Sequence, residues 1–265
     1  MLLSNQKNIH NRIIQELNAM ETPQGWHEYK KEQLGPVLGK LDMPKSEKFA
    51  EYLNNRFMDA VMANNAVDMN LRWKNISDDE KIRFAQKIVN SLIELLNSDI
   101  QQNRVTLYND NTGDVYQKSD DFIDMVYKQE IAEYLHNKLK ITVQKSDHGL
   151  MGLSTTGKLG INLNWELYKG IELFLMDLRH EMMHMVDLFM PQISALDPQT
   201  RTIASRYYID GKNGDFDLYQ NNPLELNANL KRMEFRLLCT ERLASATYNH
   251  IKNVRQHQMS YAKVY

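Results

Sequence analysis

The stretch His180-Glu181-Met182-Met183-His184, inside the apolar-periodic run from Trp165 to Phe189, decides how the rest of the chain is read. On a helix, histidines four residues apart leave the same face one turn apart, close enough for both imidazoles to reach a single Zn2+ at about 2.0 to 2.1 Å. The glutamate between them faces the same cleft and can act as a base on a water held there. With 8 His in 265 residues, chance supplies such a string in roughly one or two chains per hundred, so its surroundings must carry the rest of the argument.

Those surroundings are apolar. Leu167, Ile171, Phe174, Leu175, Leu178, Met182, Met185 and Phe189 recur at helical spacing, with Asn164 as an N-cap and Pro191 just past the end. A helix this apolar is buried. His180, Glu181, His184 and Asp187 are then costly unless they satisfy one another or hold a metal. The single cysteine, Cys239, excludes an intramolecular disulfide framework and a Cys-based zinc site, so a metal must rest on histidines and carboxylates.

A catalytic zinc site takes three protein ligands and a water, which leaves one ligand to find. After the motif the candidates are Asp187, Asp197, Asp210, Asp215, Asp217, Glu225, Glu234, Glu241, His250 and His257. Glu225 is preferred, because it falls in the first turn of a helix starting at Asn222-Pro223, where a helix end can aim a carboxylate inward. The competing role for Glu225 is a capping box, in which its side chain bonds the Asn222 N–H.

Composition bounds the partners and the compartment. A net charge of -2 offers no basic field for nucleic acid or anionic membrane, so neither is expected as a partner. The N-terminus has no apolar signal core, and no run approaches the length of a membrane span. A cytoplasmic location is expected, with export by a signal-independent route as the alternative.

Few glycines and prolines interrupt the chain, which favours helices. The pattern predicts a helix over residues 5 to 20, a turn-rich link through Pro23 to Gly39, and a second helix capped by Ser46 with the stripe Phe49, Ala50, Leu53, Phe57, Ala60 and Val61. A third helix opens with the capping box Ser77 and Glu80 and buries Ala85, Ile88, Val89, Leu92, Ile93 and Leu96. Strands are expected at Arg104 to Tyr108 and Asp114 to Gln117 around a turn, at Ile141 to Gln144, and at Ile161 to Leu163 paired with residues 151 to 155. Between the strands a helix capped by Ser119 is expected. Gln192 to Asn222 reads as a loop with a short helix near Gln199 to Tyr208, and one long final helix begins at Asn222-Pro223 and runs through Leu230, Met233, Leu237, Leu238 and beyond.

With these residues in place, the chain resembles the zincin metallopeptidases of gluzincin type, in which HExxH is followed on a later helix by a glutamate ligand. The matching residues are His180, Glu181, His184 and Glu225. His180 to Asp187 also reads HExxHxxD, and Tyr219 to Ala228 reads YxxxPxExxA, which looks like lethal-factor-type toxins and assorted bacterial and phage-encoded zincins. The likeness spans roughly residues 100 to 235. Asp187 and Met190 stand where a metzincin needs Gly and His, and Asn229 departs from the ExxxD of thermolysin-like members.

The resemblance implies an α+β, predominantly helical fold. A mixed sheet places an edge strand, near Gly160 to Leu163, beside the motif helix to pair with an extended substrate. An N-terminal helical region, 1–75, would precede a metallopeptidase domain, 76–265. The implied activity is hydrolysis of protein or peptide substrates with Zn2+ as cofactor and Glu181 as general base. Tyr219 is the favoured oxyanion donor, with Tyr207 and Tyr208 as rivals, and Asp187 would accept a ring N–H from a ligand histidine. The alternatives are a binding module of the same fold that keeps the metal without cleaving, and a helical structural protein in which the motif is accidental.

Overall fold

The computed structural model describes residues 23–118, 120–145, 151–153, 159–163, 168, 170–211 and 215–262. The helix expected over residues 5 to 20, the caps at Ser119 and Asn164, and the middle of the segment between Gly149 and Gly160 lie outside the described residues. The described chain is predominantly helical. No helix among these residues is long and apolar enough to cross a membrane.

Helix α1 (Pro23–Leu34) leads through a 3-10 turn into α2 (Met43–Ala63), the short α3 (Ala66–Arg72) and α4 (Asp78–Gln101). The cap of α2 is Asp42, whose side chain accepts from the Lys45 N–H, and not Ser46, which is buried inside the first turns. Pro44 explains the shift, since proline fits an opening helical turn and lets the helix begin before Ser46. At α4 the box forms as expected: Glu80 N–H donates to Ser77 Oγ and Ser77 N–H to the Glu80 carboxylate. Phe49, Leu53, Phe57, Ile88, Leu92 and Leu96 are all buried.

The strands expected at Arg104 to Tyr108 and Asp114 to Gln117 are reduced to one antiparallel bridge, Tyr108 to Val115. Asn109 explains the tightness of the turn: its Oδ1 accepts from the N–H groups of Asn111 and Thr112, and Gly113 turns at φ 76. Helix α5 (Asp121–Glu133), capped by Asp120, ends in a π-helical turn, Tyr134–Lys138.

The sheet is small and mixed. β1 (Ile141–Lys145) pairs in parallel with β3 (Leu159–Leu163), and β2 (Met151–Leu153) pairs antiparallel with β3, in the order β1-β3-β2. This corrects the placement of Gly160 to Leu163 at an edge. Residues 159 to 161 have a strand on each side, and the edge on that flank belongs to β2. The outer flank of β1 is covered by Gln86, which donates to Ile141 O at 2.8 Å and accepts from Val143 N at 3.0 Å.

Helix α6 (Ile171–Phe189) carries the motif and starts later than its periodicity suggests, after Gly170 in extended conformation. It is buried nearly all round, as befits a central helix. Then come α7 (Pro198–Arg206), α8 (Phe216–Gln220), α9 (Pro223–Asn229) and α10 (Arg232–Ala262). The one long final helix expected from Asn222-Pro223 is therefore two, separated by Leu230 in extended and Lys231 in left-handed conformation at φ 54. One apolar core joins α2, α3, α4, β1, β3, α6 and α10, drawing on residues from both sides of position 75.

Candidate metal centre

Helix α6 presents His180 and His184 one turn apart, with ring centroids 4.7 Å apart and planes perpendicular. Their Nε2 atoms lie 3.1 Å from each other. Glu225 closes the third corner from α9: its Oε2 is 3.4 Å from His180 Nε2 and its Oε1 3.2 Å from His184 Nε2. All three side chains are buried. Among the described residues they form a His-His-Glu group that could hold a metal ion.

The donor set fits such an ion on three grounds. Ligands about 2.0 to 2.1 Å from a tetrahedral centre lie about 3.3 to 3.4 Å apart, close to the spacings found here. Glu225 Oε2 and Glu181 Oε2 are buried with no hydrogen-bond partner, an expensive arrangement that an ion and its water would relieve. Finally, two imidazole nitrogens and a carboxylate are the ligand types zinc accepts.

Local sequence explains why Glu225 arrives there. Asn222 Oδ1 accepts from Leu224 N–H, Pro223 occupies the first turn, and Asn222 Nδ2 ties the cap to Ala204 O of α7 at 3.1 Å. The capping-box role for Glu225 is not taken up, because the Asn222 N–H donates to Tyr219 O instead. That frees the carboxylate to face the histidines.

Electrostatics follow from burial. Burial pushes the Glu181 carboxyl up to about 7, poised to exchange a proton near neutrality. His180 is lowered by burial, whereas for His184 the neighbouring Glu225 outweighs burial and raises it. Burial opposes the charged form of Glu225 too, but the close approach of the two histidine rings outweighs it and holds the carboxyl below the ordinary range.

Two of the three tyrosines reach this centre. Tyr208 Oη donates to Glu225 Oε1 at 2.7 Å, and its ring meets Tyr219 edge to face at 6.1 Å. Burial first, then the charge of Glu225, pushes both phenols far above their ordinary range, so both stay protonated donors. Tyr207 turns away into a small cluster with Leu34, Val37 and Ile209. The N-terminal segment braces this loop: Lys30 Nζ donates to Tyr208 O at 3.1 Å and Gly39 N–H to Asn221 O at 2.8 Å.

Asp187 is fully buried, but its oxygens accept from Ser194 Oγ at 2.7 Å and Asn227 Nδ2 at 2.8 Å, so what it links is α6 to α9. Ser194 and Asn227 carry no sequence signal that marks them as its partners. Arg179, beside the first histidine, was likewise unmarked. It is fully buried, and burial lowers its pKa to about 10. Other ligand candidates are engaged elsewhere: Asp197 caps α7, Asp215 pairs with His27, and Glu234 pairs with Lys231.

No family model, curated protein or solved structure matches the chain.

Proposed function

We propose that the chain is a zinc-dependent metallopeptidase of the zincin type, with His180, His184 and Glu225 as zinc ligands. The observation that carries this reading is the pair of Nε2 atoms 3.1 Å apart, each 3.2 to 3.4 Å from an oxygen of the Glu225 carboxylate, with the unpartnered Glu181 Oε2 on the same helix. When bound, zinc would acidify a water and polarise the scissile carbonyl. Glu181 accepts the proton of the attacking water and returns it to the leaving amine, a task suited to a carboxyl near neutrality. Tyr208 orients Glu225 through its hydrogen bond. Tyr219, kept protonated, donates to the negative charge that develops on the substrate oxygen.

Purified protein kept from chelators should contain close to one zinc per chain, and Glu181→Gln should keep that zinc while losing cleavage of a mixed peptide library. Zinc far below one per chain refutes the metal centre. Cleavage that survives the substitution removes Glu181 from the mechanism, and a zinc-loaded wild type that cleaves no peptide points to the metal-holding binding module.

A further inference from the structure

Arg179 directly precedes the first histidine and is fully buried in α6. Its Nε donates to Asn54 Oδ1 at 2.8 Å, its Nη1 to Ala228 O at 2.5 Å and its Nη2 to Leu230 O at 3.2 Å. All three acceptors are neutral. A guanidinium buried among neutral oxygens is costly, and an apolar residue would fill the same space more cheaply, so packing does not account for it.

The acceptors do account for it. Ala228 O and Leu230 O lie at the C-terminal end of α9, where helix carbonyls lack intrahelical partners and carry partial negative charge. This helix spans only seven residues and carries Glu225 in its first turn. Held at one point, so short a helix can swivel. At the other end of the motif Asp187 accepts from Asn227 of the same helix at 2.8 Å. Thus α6, which supplies both histidines, grips the helix that supplies the glutamate on either side of the motif.

We infer that Arg179 is a positioning residue of the metal centre, fixing α9 and with it the Glu225 carboxylate at ligand distance from His180 and His184. The inference rests on the zinc reading above and adds a residue to it. Arg179 touches neither ion nor substrate; it acts through the Ala228 and Leu230 carbonyls.

The test is zinc affinity of the full-length chain, measured by competition with a chromogenic chelator, for wild type, Arg179→Met and Arg179→Lys. The methionine variant should bind about 10- to 100-fold more weakly, the range expected when support of a metal ligand is lost. The lysine variant keeps the charge but not the fork that spans three acceptors, and should fall in between. Melting of the metal-free proteins is followed in parallel. A residue that only holds the fold together lowers that melting temperature and leaves the affinity of the folded protein unchanged, a result that overturns the inference. If the methionine variant does not fold, the lysine variant decides by the same criterion. A wild type that takes up no zinc sinks the metal reading and this inference together; zinc-binding wild type with both variants at wild-type affinity sinks the role of Arg179 alone.

Discussion

On the proposed reading, Glu181 and the tyrosines beside Glu225 would distinguish a catalytic centre from a metal clip, and each makes a prediction. In the metal-free chain Glu181 titrates near 7, against about 4.3 for an unfolded glutamate. A carboxyl raised on folding adds stability that is fully present below the unfolded value and is lost as pH rises through the folded one. Metal-free wild type should therefore lose on the order of 3 kcal/mol relative to Glu181→Gln between about pH 4 and pH 8, read from urea midpoints. A pH-independent difference would mean that Glu181 is solvated. Tyr208→Phe removes the donor to Glu225 Oε1 and should weaken zinc binding about 10-fold. Tyr219→Phe should leave zinc binding in place and cost about 100-fold in kcat with KM little changed. Chelator competition and steady-state kinetics on both variants check this division; equal affinity losses would erase it.

Helices were legible where their signals are local and opaque where distant atoms impose the geometry. The Ser77 and Glu80 box and the stripe from Phe49 to Val61 depend only on neighbouring residues, and both form as read. Glu225 was legible for the same reason, since Asn222-Pro223 announces a helix start. The break after α9 has no such announcement. Its carbonyls are taken by Arg179 and Asn54, from helices far away in sequence, and the left-handed position is held by a lysine. The central place of β3 was hidden likewise, because strand order is set by long-range pairing. The break makes its own prediction. Left-handed backbone costs a residue with a Cβ about 1 kcal/mol, and more when the side chain is β-branched. Lys231→Gly should leave the urea midpoint unchanged or raise it, whereas Lys231→Val should lower stability by about 1 to 2 kcal/mol. Equal destabilisation by both would show that the Lys231 side chain, through Glu234, matters more than its backbone.

The reading that set residues 1–75 apart as an N-terminal region meets a core that spans the division. Phe57 of α2 stands edge to face with Phe235 of α10 at 5.5 Å, and Trp73 lies 4.8 Å from Phe174 of the motif helix. Asn54 extends the connection into polar atoms: its Oδ1 accepts from Arg179 and its Nδ2 donates to Lys231 O. One side chain from α2 thus meets both the motif helix and the break that ends the Glu225 helix. If this packing is cooperative, α2 cannot melt while the metal centre stays formed. Phe57 is fully buried, and truncation of such a ring to alanine costs about 3 to 5 kcal/mol. Phe57→Ala should therefore shift unfolding followed by far-UV circular dichroism and unfolding followed by zinc release to lower denaturant by the same amount. Removal of residues 1–75 should go further, depriving Phe174 of Trp73 and Phe235 of Phe57 and leaving the remaining chain unable to bind zinc tightly. A truncated chain that unfolds cooperatively and keeps wild-type zinc affinity would show that the division is energetic as well as sequential, with α2 packed onto a domain complete without it.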